Sequence, residues 1–319
     1  MLSICIPTYN RADLLDRCLT NIRKVLASNE ASFDFEICIS DNASTDHTSQ
    51  IIDKHKREND RIVSFRHEGN LGFATNFKTV LQLATHDWVV VIGDDDVVTS
   101  EFEKTIHMAM KTNSPLVVFS SEYGENKKQS NCHSDLRVRL SKPSDVLRTI
   151  GMFHMSFIGN LMFRRSMVQK YIETLTIQSA YPQTVLAWKL VEEGGVDLVN
   201  QPIVIADHSH RTWTKLQTLY TSLDMARIIT DGPLQDPLLH WTEITRLYLK
   251  LLKGLPRALL GIRLGIIAQS NSTNPYLNIT NKSLIAAYKK NYFIATLACV
   301  INIVLKAIPS FLINILFRR

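Results

Sequence analysis

Residues 88–96 read WVVVIGDDD: five apolar residues run directly into a glycine and three consecutive carboxylates, Asp94, Asp95 and Asp96. A short, unbroken apolar run closed by a turn signal is the pattern of a strand buried on both faces. Neighbouring carboxylates repel one another, so the charge at the end of this strand has to be offset by water or by a cation. Working outward, Leu2–Pro7, Phe33–Ser40, Ile62–His67 and Pro115–Ser120 carry similar strand signals. Helical spacing of apolar residues marks the segments between them. The expected helices are Arg11–Ala27, with Asn10 as its N-cap, then Thr48–Glu58, Gly72–Ala84 and Ser100–Lys111. Strands alternating with helices predict an α/β fold with an open, mostly parallel sheet covered on both faces. Such sheets bind ligands beyond the carboxyl ends of their strands. Three polar clusters fall at such ends: PTYNR (7–11), SDNASTD (40–46) and GDDD (93–96).

The remainder is less periodic. Residues 121–143 are polar and read as a loop, 157–163 (FIGNLMF) as a strand, and Tyr181–Glu193 as a helix. Val196–Ala206 reads as one strand leading into DHSHRTW (207–213). From Leu216 the pattern is helical, with short helices around 216–230 and 238–253. This divides the chain into an α/β domain over 1–215 and a C-terminal helical region over 216–319.

With 319 residues, 45% of them hydrophobic and 21% charged, the chain has ample material for a packed core. Its net charge of +6 is unevenly placed: residues 241–319 hold eleven Lys and Arg against one acid, Glu243. The other 240 residues carry a net charge of −4. The five cysteines are scattered with no CxxC pair and read as free thiols in a reducing compartment. The start, MLSICIPTYNR, has no charged n-region and only a short apolar run, so the expected site of action is cytoplasmic. No pattern points to nucleic acid.

Neither GxGxxG nor GxxxxGK[ST] appears, which argues against a Rossmann dinucleotide site and a P-loop. Carboxylates hold a phosphate only through a divalent cation. Mg²⁺ and Mn²⁺ take oxygen ligands, typically one or two carboxylates together with substrate phosphates. An acidic turn at a strand end therefore suggests metal-assisted handling of a diphosphate, and equally fits a solvated turn capping the next helix.

The order PTYNR, SDNASTD, GNLGFATNF (69–77) and WVVVIGDDD resembles family 2 glycosyltransferases of the GT-A fold. It looks most like bacterial enzymes that build O-antigen or capsular repeat units, abequosyltransferase-like members included. The resemblance implies that Pro7, Thr8, Tyr9 and Arg11 line the nucleotide pocket and that Asp41 accepts a hydrogen bond from the base. It places Asn70, Gly72 and Asn76 in the segment over the nucleotide. It assigns Asp94–Asp96 to the ribose and to a Mg²⁺ or Mn²⁺ on the diphosphate, with Asp95 and Asp96 as the metal contacts and Asp94 as a nucleotide contact or a neighbour only. Gly93 stands where many members carry the first aspartate. An inverting transfer also needs a base, and the stretch SAYPQTVLAW (179–188) lacks the acidic pair found in many members. Asp207, His208 and His210 are the alternative candidates, Arg211 can neutralise phosphate charge, and Tyr181 and Gln183 are candidate acceptor contacts. His154 and His133 read as surface or satisfied core residues.

The tail, YFIATLACVINIVLKAIPSFLINILF (292–317), is interrupted by Asn302, Lys306, Pro309 and Asn314. Its longest uninterrupted apolar run, Tyr292–Ile301, falls short of the ~20 residues of a span. Two interfacial helices hinged near Pro309, on the anionic inner face of the membrane, fit it better. A helical hairpin packed on the catalytic domain or on a second copy also fits. A membrane-surface enzyme would suit a glycan or polyprenyl-diphosphate-linked acceptor. Two further readings stand beside the transferase: a sugar-phosphate nucleotidyltransferase, and a non-catalytic sugar-binding subunit.

Overall fold

The computed structural model describes residues 1–27, 32–123, 128–130, 137–151, 153–175, 179, 181–206 and 292–307, with scattered positions between 225 and 285. The chain groups into two compact units, Met1–Ile177 with Pro182–His210 and Gln178–Tyr181 with Arg211–Arg319.

In the first unit, strands β1 (Leu2–Thr8), β2 (Phe35–Asp41), β3 (Ile62–Arg66) and β4 (Trp88–Val91) alternate with helices α1 (Ala12–Ala27), α2 (Thr48–Glu58) and α3 (Phe73–Leu83). After the acidic turn come β5 (Val97–Val98), α4 (Phe102–Ala109), β6 (Leu116–Phe119), β7 (Ser121–Tyr123), β8 (Lys128–Ser130) and β9 (Arg137–Leu140). Then follow α5 (Pro143–Ile150), β10 (Leu161–Arg164), α6 (Arg165–Tyr171), α7 (Pro182–Gly194), β11 (Val196–Val199) and β12 (Val204–Ala206). Eight strands form one sheet in the order β3-β2-β1-β4-β10-β6-β11-β9, and β5-β12-β7-β8 form a second. The first four strands of the large sheet are mutually parallel, and β10 joins β4 and β6 antiparallel. β1 is buried along its whole length because it has a helix on each face. Leu2, Ile4 and Ile6 pack with Leu15, Leu19 and Ile22 of α1. On the other face, the Cys5 thiol reaches the Val80 carbonyl of α3 at 3.4 Å.

The early strands and helices lie where their periodicity puts them; three later expectations differ. Residues 121–143 hold β7, β8, β9 and the start of α5 rather than a loop. β9 alternates exposed and half-buried residues at the sheet edge, so a polar sequence serves it. Val196–Ala206 is two strands, because Pro202 has no N–H to continue a ladder. β11 stays in the large sheet while β12 pairs with β5 and β7 in the small one. Within 157–163 only Leu161–Phe163 are strand, Ile158–Asn160 forming a 3₁₀ turn.

The far half of the sheet is tied by Asp197 on β11, buried and accepting from Thr112 Oγ1 at 2.7 Å, Ser114 Oγ at 2.6 Å and Arg137 Nε at 2.8 Å. Burial pushes this carboxyl up, but the bonds from Ser114, Thr112 and Arg137 outweigh it and hold the group below its ordinary value. Its contribution is therefore present above the ordinary aspartate value and lost as pH falls through the lower folded one. Asp197→Asn is expected to destabilise the protein by roughly 2 kcal/mol at pH 7. In urea unfolding, the gap between variant and wild type should narrow as pH is lowered below about 4; a gap constant with pH would refute this role.

In the second unit, α8 (Tyr292–Ala307) is a single helix. Ile294, Ala295, Ala298 and Asn302 are buried, whereas Leu297, Val300, Ile303 and Val304 are 37–55% exposed. Among the described residues no helix is long and apolar enough to cross a membrane.

Candidate active site

The β4 strand ends in a turn whose three carboxylates point to different partners. Asp94 is buried; its Oδ2 accepts from Thr8 Oγ1 at 2.7 Å and its Oδ1 from Arg11 Nη1 at 2.8 Å. The same Arg11 nitrogen donates to Asp95 Oδ2, also at 2.8 Å, so one guanidinium bridges two carboxylates. Arg17 adds a bond to the Asp95 carbonyl at 2.8 Å. Arg11 is thus a cation that offsets the charge of the turn. Burial of Asp94 nevertheless dominates, with a contribution from the neighbouring Asp95 charge, and lifts its carboxyl to about 6 despite Arg11 and Thr8.

Asp96 behaves differently. Its Oδ2 accepts the Gly93 N–H at 3.2 Å, and the Asp96 N–H returns to the Gly93 carbonyl at 3.1 Å. Of the expected metal pair, Asp95 with Asp96, Asp96 is folded back onto the turn and is 4% exposed. The carboxylates gathered by Arg11 are Asp94 and Asp95, of which Asp95 is the more open. Glycine at 93 also has its reason here. A Cβ at that position would lie 2.7 Å from Asp96 Oδ2 and 2.9 Å from Asp95 Oδ1.

Hydrogen bonds join this turn to the other two clusters. Asn10 does not cap α1. It adopts φ 52°, its N–H donates to Ser44 Oγ at 2.8 Å, and its Oδ1 accepts the Thr45 N–H at 2.7 Å. The cap comes from Asp46, 34 residues from the helix start: Oδ2 accepts the Ala12 N–H at 3.1 Å, and Oδ1 accepts the Thr48 N–H at 3.0 Å. One carboxylate therefore opens α1 and α2 together. Each cap is worth about 1 kcal/mol, so Asp46→Ala should lower stability by about 2 kcal/mol. Calorimetric melting would check this, and an unchanged midpoint would rule it out.

Asp41 ends β2 opposite Thr8 in the β1–β2 register. Its Oδ1 accepts the Ser44 N–H at 2.9 Å, while Oδ2 is buried with no hydrogen-bond donor. Arg66, the register partner of Asp41 on β3, brings Nη1 to 3.6 Å from that oxygen. The next residue, His67, holds a buried Nε2 that also lacks a partner. Asn70 Oδ1 accepts from the Gly72 N–H at 2.9 Å and from Asn42 Nδ2 at 2.8 Å, and Asn42 Oδ1 accepts the Leu71 N–H at 2.9 Å. Gly72, at φ 83°, supplies the left-handed entry into α3 that glycine favours. Asn76 is buried: Nδ2 donates to the carbonyls of Thr8 at 3.2 Å and Ser40 at 3.0 Å, and Oδ1 accepts from Ser40 Oγ at 2.6 Å. Its amide therefore holds the ends of β1 and β2 together. Pro7 is buried in β1, and Tyr9 is exposed just beyond it.

Arg66 and Asn42 escaped the sequence reading; the signal for Arg66 was its place at the end of β3 in register with Asp41. Asp207, His208, His210 and Arg211 lie outside the described residues. Gln183, by contrast, is 3% exposed and donates through Nε2 to the Ser156 carbonyl at 2.6 Å. Among the described residues, no group of three or more His, Cys, Asp or Glu gathers as a closed metal cage. Two adjacent carboxylates, one of them partly open, nevertheless match the donor set of a Mg²⁺ or Mn²⁺ ion completed by substrate phosphates.

Several known proteins are similar to this chain. The abequosyltransferase of Salmonella typhimurium is 39% identical over 102 residues, 32% of this chain and 30% of that one. A Campylobacter jejuni enzyme named GalNAc(5)-diNAcBac-PP-undecaprenol beta-1,3-glucosyltransferase is 31% identical over 100 residues, 31% of each chain. The matches span only about a third of the length of such relatives. Among solved structures, TarS 1–349 of S. aureus in complex with UDP-GlcNAc aligns with 99% of this chain and 91% of its own, at TM-score 0.61 and 15% identity. A mannosyltransferase of Pyrobaculum calidifontis in complex with GDP-Man and Mn²⁺ covers 95% and 86%, at TM-score 0.57 and 19% identity. These likenesses show the fold, a GT-A-like α/β sheet. Since the model of Glycosyl transferase family 2 matches residues 3–172, more than half of the chain, the protein belongs to that family.

Proposed function

We propose that the protein transfers a sugar, with inversion, from a nucleotide-diphosphate sugar to a hydroxyl of a glycan or lipid-linked acceptor in bacterial surface polysaccharide synthesis. The observation that carries this is the position of Thr8, which lies opposite Asp41 in register and hydrogen-bonds Asp94. On one side of it, Asp41 Oδ2 awaits a donor such as a base N–H, with the Arg66 guanidinium beside it to meet a base carbonyl. On the other side, Asp94 and Asp95 share Arg11, and a ribose and diphosphate between the two would meet both. Tyr9 offers a ring to the base.

Asp95, with Asp94 behind it, would hold the divalent cation, which when bound supplies Lewis-acid stabilisation of the departing diphosphate. Arg11 sits at the same place and adds fixed positive charge. In the transfer, a base takes the acceptor O–H proton, the oxygen attacks the anomeric carbon, and the bond to the diphosphate breaks on the opposite face. Asp207, His208 and His210 remain the candidate bases and Arg211 a candidate phosphate contact, since they follow β12 directly in the chain. Residues 1–215 would form the catalytic domain and 216–319 a helical region. The exposed apolar stripe of α8 and the excess of basic residues after 240 support a peripheral seat on the inner face of the membrane.

Calorimetry of the full chain with UDP-, GDP-, dTDP- and CDP-sugars, with and without Mn²⁺, tests this reading. One nucleotide series should bind, more tightly with the metal, and Asp41→Ala should weaken it at least about tenfold, the loss of a charge-assisted hydrogen bond. Absence of binding by every member, or binding that survives both Asp41→Ala and Asp95→Ala, would refute it.

A further inference from the structure

The large sheet ends in two unlike edges. β9, at one end, exposes Arg137 and Arg139 and keeps Val138 and Leu140 half-buried. β3, at the other, holds no proline or lysine and keeps an unbroken register with β2, so nothing in the strand blunts its free edge. Val63 and Phe65 stand on the face that α3 covers, because Ser40, the register partner of Phe65, bonds Asn76 of that helix. These two side chains are 42% and 45% exposed. Leu71 and Phe73, at the entry of α3, are 55% and 39% exposed. Of the six large apolar side chains that the first unit exposes among the described residues, four therefore fall between positions 63 and 73. The other two are Met1 and Tyr9, and Tyr9 already has a place at the proposed donor site.

The backbone of β3 shows what fits there. The Arg61 carbonyl accepts the Ile37 N–H, and the His67 N–H donates to the Asp41 carbonyl, both at 2.9 Å. Odd-numbered residues of the strand therefore face β2, and Ile62, Ser64 and Arg66 turn their backbone groups to the open edge. These three positions are symmetric about Ser64. We propose that two copies of the chain join through β3, antiparallel, about a twofold axis at Ser64. The two Ser64 residues then exchange N–H···O bonds, and each Arg66 N–H donates to the Ile62 carbonyl of the second copy. Val63 of each copy falls opposite Phe65 of the other, at the non-hydrogen-bonded positions where side chains approach most closely. Asp60 and Glu68 balance Arg61 and Arg66, so the edge carries no net charge to oppose its copy. A foreign strand would have to supply this match of backbone and apolar positions; a second copy brings it already. The pairing covers Val63 and Phe65 and joins two eight-stranded sheets into a single one. It goes beyond the transfer reaction and does not depend on it.

Sedimentation velocity of the full chain over a dilution series tests the interface on wild type, Phe65→Lys and Ser64→Pro. The wild type should be a reversible dimer. Phe65→Lys sets a charge against Val63 of the second copy, whereas Ser64→Pro removes the central N–H and keeps the apolar side chains. Each should raise the dimer dissociation constant at least about tenfold, the loss of one or two good contacts. Should Ser64→Pro fail to fold, hydrogen exchange of the wild type takes its place: the Ser64 and Arg66 amides should be protected in concentrated solution and exchange freely on dilution. A wild type that stays monomeric throughout overturns the proposal, and so does a dimer that neither variant weakens, which would turn attention to the apolar stripe of α8. Loss of the dimer in Phe65→Lys with an intact dimer in Ser64→Pro also overturns it, by showing an apolar contact without strand pairing. A monomeric wild type whose binding to anionic vesicles is lost in Phe65→Lys would overturn it in favour of a membrane surface at this patch.

Discussion

Asp95→Asn is expected to lower sugar transfer about 10³-fold while the protein keeps its melting temperature. The loss of a carboxylate that holds a charge-stabilising group opposite a departing diphosphate is of this order. Stability should hold because Asp95 is a partly open residue, and its removal leaves Asp94 bonded to Thr8 and Arg11. Asp96→Ala supplies the contrast: it removes the acceptor of the Gly93 N–H, and should lower the melting temperature. Steady-state kinetics with the donor found by calorimetry, alongside thermal melting of both variants, separates the two roles. Transfer by Asp95→Asn within about fivefold of wild type, under 1 kcal/mol of barrier, would remove Asp95 from the site.

Gly93→Ala is expected to be more damaging than its single methyl suggests. The new Cβ would meet the Asp96 and Asp95 carboxylates at 2.7 and 2.9 Å, closer than side-chain atoms approach without displacement. Both carboxylates must swing away, and Asp96 gives up its bond to the Gly93 N–H, at a cost of about 1–3 kcal/mol. Both stability and donor affinity should fall. Gly93→Asp should be worse than Gly93→Ala because it adds a fourth charge to the same space. An unchanged melting curve for Gly93→Ala would show that the turn is looser than its contacts imply.

Much of the first half of the fold was legible because buried strands and amphipathic helices write their period into the sequence. WVVVI, LSICIP and FEICIS could hardly be anything but interior strands, and the polar clusters at their ends gathered as the topology of a parallel sheet requires. What stayed hidden depended on contacts between distant residues. Asn10 had the chemistry of a cap, yet Asp46 took that role from 34 positions away. Asp96 was indistinguishable from Asp95 by type, and only the closed turn sends one carboxylate inward and leaves the other with Arg11. Arg66 looked like an ordinary strand residue until pairing set it beside Asp41. The short strands of 121–140 were hidden by a polar composition, which for β8 and β9 suits their places at sheet edges, and the split of Val196–Ala206 turned on Pro202. His154 read as a satisfied core or surface residue; the structure satisfies one of its nitrogens and leaves the other as an acceptor.

The central claim, that Thr8 divides a base site from a diphosphate site, is tested most directly by a crystal structure of the full chain with its nucleotide sugar and Mn²⁺. The account predicts a base N–H within hydrogen-bond distance of Asp41 Oδ2, and Mn²⁺ bound by Asp95 and the diphosphate with Asp96 still closed onto Gly93. A nucleotide bound away from β1 and β2, or a metal held by Asp96 without Asp95, would contradict it.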